Sequence, residues 1–236
     1  MDLSSFYADS STAPLPDYQG GTRQVQLQLK RVGSMNFPSG IVGAADPLCV
    51  EDEFLRFEAP EGEDGDGEHR AAVFATLADV SEKQDGSHQR IAYLSLVFSK
   101  SEATSIESAT PIGRDRSKLP DGYDFAIPVD AGTVGFFDAD EMLRHLSVFD
   151  LEEQEETRDK WIDELYPDDD APSCQAEKFD YALSKIDAGE RGTMAMSSAG
   201  WGDGSYPVYL TLDADGKILG YHIDLFVVGD SSEDDK

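Results

Sequence analysis

The chain has 236 residues, with 48 Asp and Glu against 19 Lys and Arg, a formal charge of −29. At 39% hydrophobic and 10% aromatic residues it can bury a core, which excludes a fully disordered chain. The charge argues against DNA, RNA or an anionic membrane as partner and favours a cationic protein or simple solubility.

No stretch is apolar over the ~18 residues that a membrane helix needs. The opening MDLSSFYADSSTAPLP has neither a basic nor an apolar leader region, and the two cysteines, Cys49 and Cys174, are too few for a disulfide framework. A cytoplasmic location is expected.

Residues 1–21 are Ser-, Asp- and Pro-rich and read as an N-terminal arm, ordered or frayed. Val25, Leu27 and Leu29 alternate with polar residues, the period of a half-buried strand. Residues 33–47 read as turns with one short strand around Ile41. Residues 51–70 carry nine acids and two Arg, a net of −7, and read as an exposed loop around the Gly-rich run 61–68. Residues 71–78 and 90–98 are apolar on both faces and predict a hairpin buried between layers. Residues 103–112 are a weaker strand candidate. A strand follows in 123–137, with a turn at Asp130-Ala131-Gly132 and a short apolar run after it.

Asp138 and Glu141 make a capping-box-like helix start, with Met142, Leu143, Leu146 and Phe149 at helical spacing. Residues 150–170 hold eleven acids against Arg158 and Lys160, a net of −9. Trp161, Ile162, Leu165 and Tyr166 give this second helix an apolar face. Phe179, Leu183 and Ile186 suggest a third, short helix closed by Gly189. The chain then returns to strands at 206–212 and 217–228, joined by the hairpin loop Asp213-Ala214-Asp215-Gly216. Residues 230–236 form an acidic tail. The order of elements predicts one domain over 22–229 of α+β class. It is mostly antiparallel β with sandwich-like sheets and two or three helices between 138 and 188.

Chemical motifs are sparse. No histidine spacing matches a zinc site, and no P-loop, G-x-G-x-x-G or nucleophile elbow occurs, so no metal, cofactor or catalytic set is assigned. Cys174 reads as a free surface thiol. Asp213 and Asp215 invite a calcium reading, but their Gly stands fourth rather than sixth and a hairpin turn fits better. His222 and Asp224 share a strand face, where an Asp could orient the imidazole as a base. Asp130, Trp201, Asp203, Tyr206 and His222 together make a possible ligand rim, if two Gly- and Asp-rich turns meet at one end of a sheet. The alternative is that these residues only build the turns.

Four segments carry a family likeness: Pro38-Ser39-Gly40-Ile41-Val42 with Ala45-Asp46-Pro47-Leu48; Val129-Asp130-Ala131-Gly132 with Phe137-Asp138; Gly202 through Val208; and Leu212 through Gly216. In order and spacing they resemble the DUF4241 family, bacterial proteins of unknown function. The likeness spans most of 35–228. It implies a fold and a compartment and carries over no catalytic residue.

The leading functional expectation is a non-enzymatic immunity or antitoxin protein that neutralises a cationic toxin domain. Glu152, Glu153, Glu155, Glu156, Asp159, Asp163, Asp168, Asp169 and Asp170 would form its partner-binding face. The alternative is a small-ligand protein or hydrolase using the rim. A third possibility is that the acidity is salt adaptation and names no partner.

Overall fold

In the computed structural model, residues 6, 11–16, 21–51, 53–62, 68–166, 181–186 and 192–229 are described. The first half of the chain forms β1 (Thr12–Pro16), β2 (Thr22–Asn36), β3 (Ile41–Ala45), β4 (Leu55–Glu58), β5 (Arg70–Asp79), β6 (Gln89–Val97), β7 (Ser105–Ser108), β8 (Ala126–Val129) and β9 (Thr133–Asp138). Two helices follow, α1 (Ala139–Val148) and α2 (Leu151–Leu165), then β10 (Tyr181–Ser184), β11 (Met194–Ser198), β12 (Gly204–Leu212) and β13 (Ile218–Asp224). The class is α+β and mostly antiparallel β.

The strands make two sheets. The large one runs β1-β2-β5-β6-β13-β12-β7, with β8 pairing the other end of β12, and it curls into a half-barrel. The small one runs β10-β11-β9-β3-β4. Every pairing among the described residues is antiparallel. The predicted hairpin 71–78/90–98 is β5–β6; β6 is buried on both faces, while β5 leaves Ala72 and Phe74 half-buried on the face away from the small sheet. The loop 213–217 closes β12–β13, with the Asp213 carboxylate accepting from the Asp215 and Lys217 amides at 2.9 Å each. The N-terminal arm supplies β1, which extends the large sheet beside β2.

Strand alternation divides the core. In β9, Phe136 joins the cluster between the sheets, and Phe137 joins Met142, Trp161, Leu165, Met194 and Met196 under the helices. The layers are therefore large sheet, small sheet, helices. The turn 130–132 carries the chain from β8 on the large sheet to β9 on the small one.

The third predicted helix is not formed. Leu183 lies in β10, which pairs with β11 as the edge of the small sheet, while Phe179 and Gly189 lie outside the described residues. The reason is tertiary: Leu183 packs into the space that Gly33 leaves open on β2, where an added Cβ would sit 2.2 Å from Leu183 Cδ1. As an edge strand the segment satisfies its backbone on β11 and places Leu183 in that gap.

Candidate functional site

The acidic helix is built from its own residues. Asp150 caps α2 by accepting from the Glu153 amide at 3.0 Å, and Glu153 returns the bond to the Asp150 amide at 3.1 Å. This is a reciprocal capping box, and the two carboxylates also suit the positive end of the helix dipole. Gln154, Thr157, Trp161 and Leu165 turn inward. Trp161 is buried, and its indole donates to the Lys185 carbonyl at 2.6 Å. Glu152, Glu153, Glu155, Glu156, Asp159 and Asp163 are all exposed on α2, as is Glu164. Asp168, Asp169 and Asp170 lie outside the described residues.

The same helix exposes large apolar side chains, a feature the acidic count obscured in sequence. Leu151 is 79% exposed, Tyr166 45% and Ile162 40%. At 3.6 residues per turn they fall within a sector of roughly 60°, with Leu151 and Ile162 three turns (~16 Å) apart and Glu155 and Asp159 along the helix between them. Of the apolar face expected at Trp161, Ile162, Leu165 and Tyr166, Trp161 and Leu165 are buried and Ile162 and Tyr166 are exposed.

The two turns of the predicted rim do meet. β8 and β12 pair with Val129 opposite Gly204, and the Ala199 amide donates to the Gly132 carbonyl at 2.8 Å. Asp130 and Asp203 both act electrostatically on the Cys49 thiol. Burial chiefly, then Asp46, Asp130 and Asp203, push that thiol up, so it stays protonated and a poor nucleophile. Trp201 is 47% exposed, with the Arg90 guanidinium 4.4 Å over its ring.

Tyr206 is buried beneath this rim and bonded to its turn, whereas His222 stands apart from it. Val208 pairs with Ile223 and Tyr209 with His222, so Tyr206 and His222 project from opposite faces of the sheet. The Tyr206 hydroxyl is used locally, donating to the Gly202 carbonyl at 2.7 Å. His222 is buried, stacked on Phe6 at 3.9 Å, with Ser95 Oγ 2.9 Å from Nδ1 and Thr211 Oγ1 3.1 Å from Nε2. Burial lowers its pKa to about 3, so it is neutral at physiological pH. Asp224 shares its face, as the spacing predicts, but spends Oδ1 on the Phe226 amide at 3.0 Å. Burial raises the Asp224 pKa to about 7. The imidazole is thus held by hydroxyls and not by the carboxylate.

The motif aspartates that sequence comparison draws attention to are turn builders. Asp46 is buried and accepts from the Leu48, Asp130 and Ala131 amides at 3.2, 3.1 and 2.7 Å and from the Thr133 hydroxyl. It pins the turn that switches sheets. Asp138 caps α1 through the Asp140 and Glu141 amides and accepts from Ser39 through both its amide and its hydroxyl. These two carboxylates join the first two motif segments across sequence separations of 84 to 99 residues, while Asp213 holds its own hairpin loop. The matched family is the one described as "Protein of unknown function (DUF4241)", over residues 35–222. The chain belongs to the DUF4241 family. No curated protein and no solved structure matches it.

Among the described residues no group of three or more His, Cys, Asp or Glu is placed to hold a metal ion. No helix among them is long and apolar enough to cross a membrane.

Proposed function

We propose that this DUF4241 protein is a non-enzymatic binding protein that docks a basic protein domain on α2. The observation that carries the reading is the outward surface of that helix, where exposed Leu151 at one end and Ile162 and Tyr166 at the other are set among Glu152, Glu155, Glu156, Asp159 and Asp163. Apolar anchors exclude water where a partner covers them, and surrounding charge of one sign speeds encounter with a partner of the other. Acids without apolar anchors would be an ordinary solvated face. A basic toxin domain fits this surface, and the chain would then be a bacterial immunity protein acting in the cytoplasm.

The test is capture of partners from host lysate at about 50 and about 300 mM salt, with wild type and Glu155→Lys/Asp159→Lys. The expected result is a near-stoichiometric basic protein, held less at high salt and lost with the reversed charges, while the melting temperature is kept. That protein expressed alone should arrest growth, and co-expression should relieve the arrest. Capture that ignores the reversed charges sinks the α2 reading. Capture of a basic protein that is harmless alone sinks the toxin assignment only.

A further inference from the structure

The large sheet has a second face, turned away from the small sheet and the helices. Cross-strand rows define it. Arg31, Phe74, Ser95 and His222 lie side by side in one row, and Ser34, Ala72, Val97 and Gly220 in the next. Small residues in the second row, beside Phe74 and Leu29 in the neighbouring rows, leave a hollow of about 860 Å³. Phe6 closes its inner end, lying between the hollow and His222. The volume is in the range of small-molecule sites, ~300–1,000 Å³.

The floor is apolar: Leu29, Ala72, Phe74 and Val97. The mouth is cationic. Arg31, Arg70 and Lys100 line it, and Glu102 is the single acid among the described lining residues. That is three cations against one acid in a chain with 19 cations against 48 acids. Arg70 reaches across to Ser34 Oγ at 3.4 Å, which sets its exposed head at the rim of the hollow. At physiological salt the field of distant acids is screened beyond ~8 Å, and the local balance decides what enters.

We propose that this hollow binds a small amphipathic carboxylate, with its apolar body on the Leu29–Phe74–Val97 floor and its carboxylate at Arg31 and Arg70. Guanidinium groups suit a carboxylate in particular, because their planar donors match its two oxygens. The site is separate from α2, which lies on the other side of the small sheet.

The experiment is calorimetric titration of the full chain with decanoate, acetate and decyltrimethylammonium. Decanoate should bind at one site per chain. Acetate, which lacks the apolar body, and the cation, which lacks the matching charge, should each bind at least tenfold more weakly. Arg31→Glu/Arg70→Glu should weaken decanoate at least tenfold with an unchanged melting temperature. Ala72→Leu, which fills the floor without touching charge, should do the same and serves as the second variant if the first fails to fold. No decanoate binding, equal binding of the cation, equal binding of acetate, or full affinity in both variants would each overturn the proposal.

Discussion

The buried carboxylates do two different jobs. Asp46 is fully engaged, and replacing it leaves the Leu48, Asp130 and Ala131 amides without their acceptor. Asp46→Ala should cost about 2–4 kcal/mol in chemical denaturation, given ~1–3 kcal/mol for each buried donor left unmet and partial relief by water. A loss under 1 kcal/mol would mean that the turn holds without it. Asp224 is the opposite case, a carboxyl whose charge the fold disfavours. Its pKa rises from 3.8 to about 7. Between those values the folded chain keeps a proton that the unfolded chain has released, so this group makes stability fall as pH rises through the window. His222 works the other way between about 3 and 6.5, where the unfolded chain holds the extra proton and stability rises with pH. Asp224→Asn removes the first effect and keeps an acceptor for the Phe226 amide. Its stability relative to wild type should climb from pH 4 to pH 7 and then level in urea titrations. A flat difference across that range would show that Asp224 ionises normally.

At the level of elements, α2 depends on one side chain more than on its sequence propensity. Trp161 is buried among Met142, Leu165 and Met194 and is tied to the strand-side Lys185 carbonyl. Trp161→Ala should cost about 3–5 kcal/mol by thermal or urea unfolding. If α2 detached alone, helical signal would drop while the β-sheet transition stayed in place. Such elements differ in how plainly the sequence announces them. The β5–β6 hairpin and the β12–β13 hairpin are legible because their runs are long and their turns carry Gly. The helix start at Asp138 is legible through its cap, whereas the capping box of Asp150 and Glu153 is hidden among the acids around it. The strands β4, β10 and β11 are not legible. β4 sits inside an acid-rich stretch, and only Phe57 of its four residues is buried. β10 and β11 exist because β9 supplies their template, and that pairing is non-local. The rim was half legible for a related reason. The two turns signal themselves by Gly and Asp, but the face that His222 occupies depends on its register against Tyr209.

For the whole molecule the charge is the governing quantity. A net −29 on a chain of 236 residues opposes its own compaction. Added salt shortens the reach of that repulsion, from about 30 Å at 0.01 M to about 3 Å at 1 M. The melting temperature should therefore rise when sodium chloride is taken from about 10 mM to about 500 mM at pH 7.5. A fall would mean that favourable ion pairs outweigh the repulsion. The described ion pairs give little reason to expect this: Arg116–Asp124, Lys118–Asp115 and Arg144–Glu141 are local and solvated.

The place of β13 in the large sheet has a consequence for synthesis. It is the final strand made among those described, and it lies between β6 and β12 rather than at an edge. Until residues 218–224 leave the ribosome, a nascent chain holds β2, β5 and β6 on one side and β7 and β12 on the other, with nothing joining them. Each half then offers an open edge, β6 and β12, that can pair with another chain. At ~5–20 residues per second the β6 edge stays open for roughly 6–25 s before β13 is delivered, and the β12 edge for the last second or so of that time. A message cut short before Ile218 would yield not a slightly shortened protein but two unmatched half-sheets, the form most prone to aggregate.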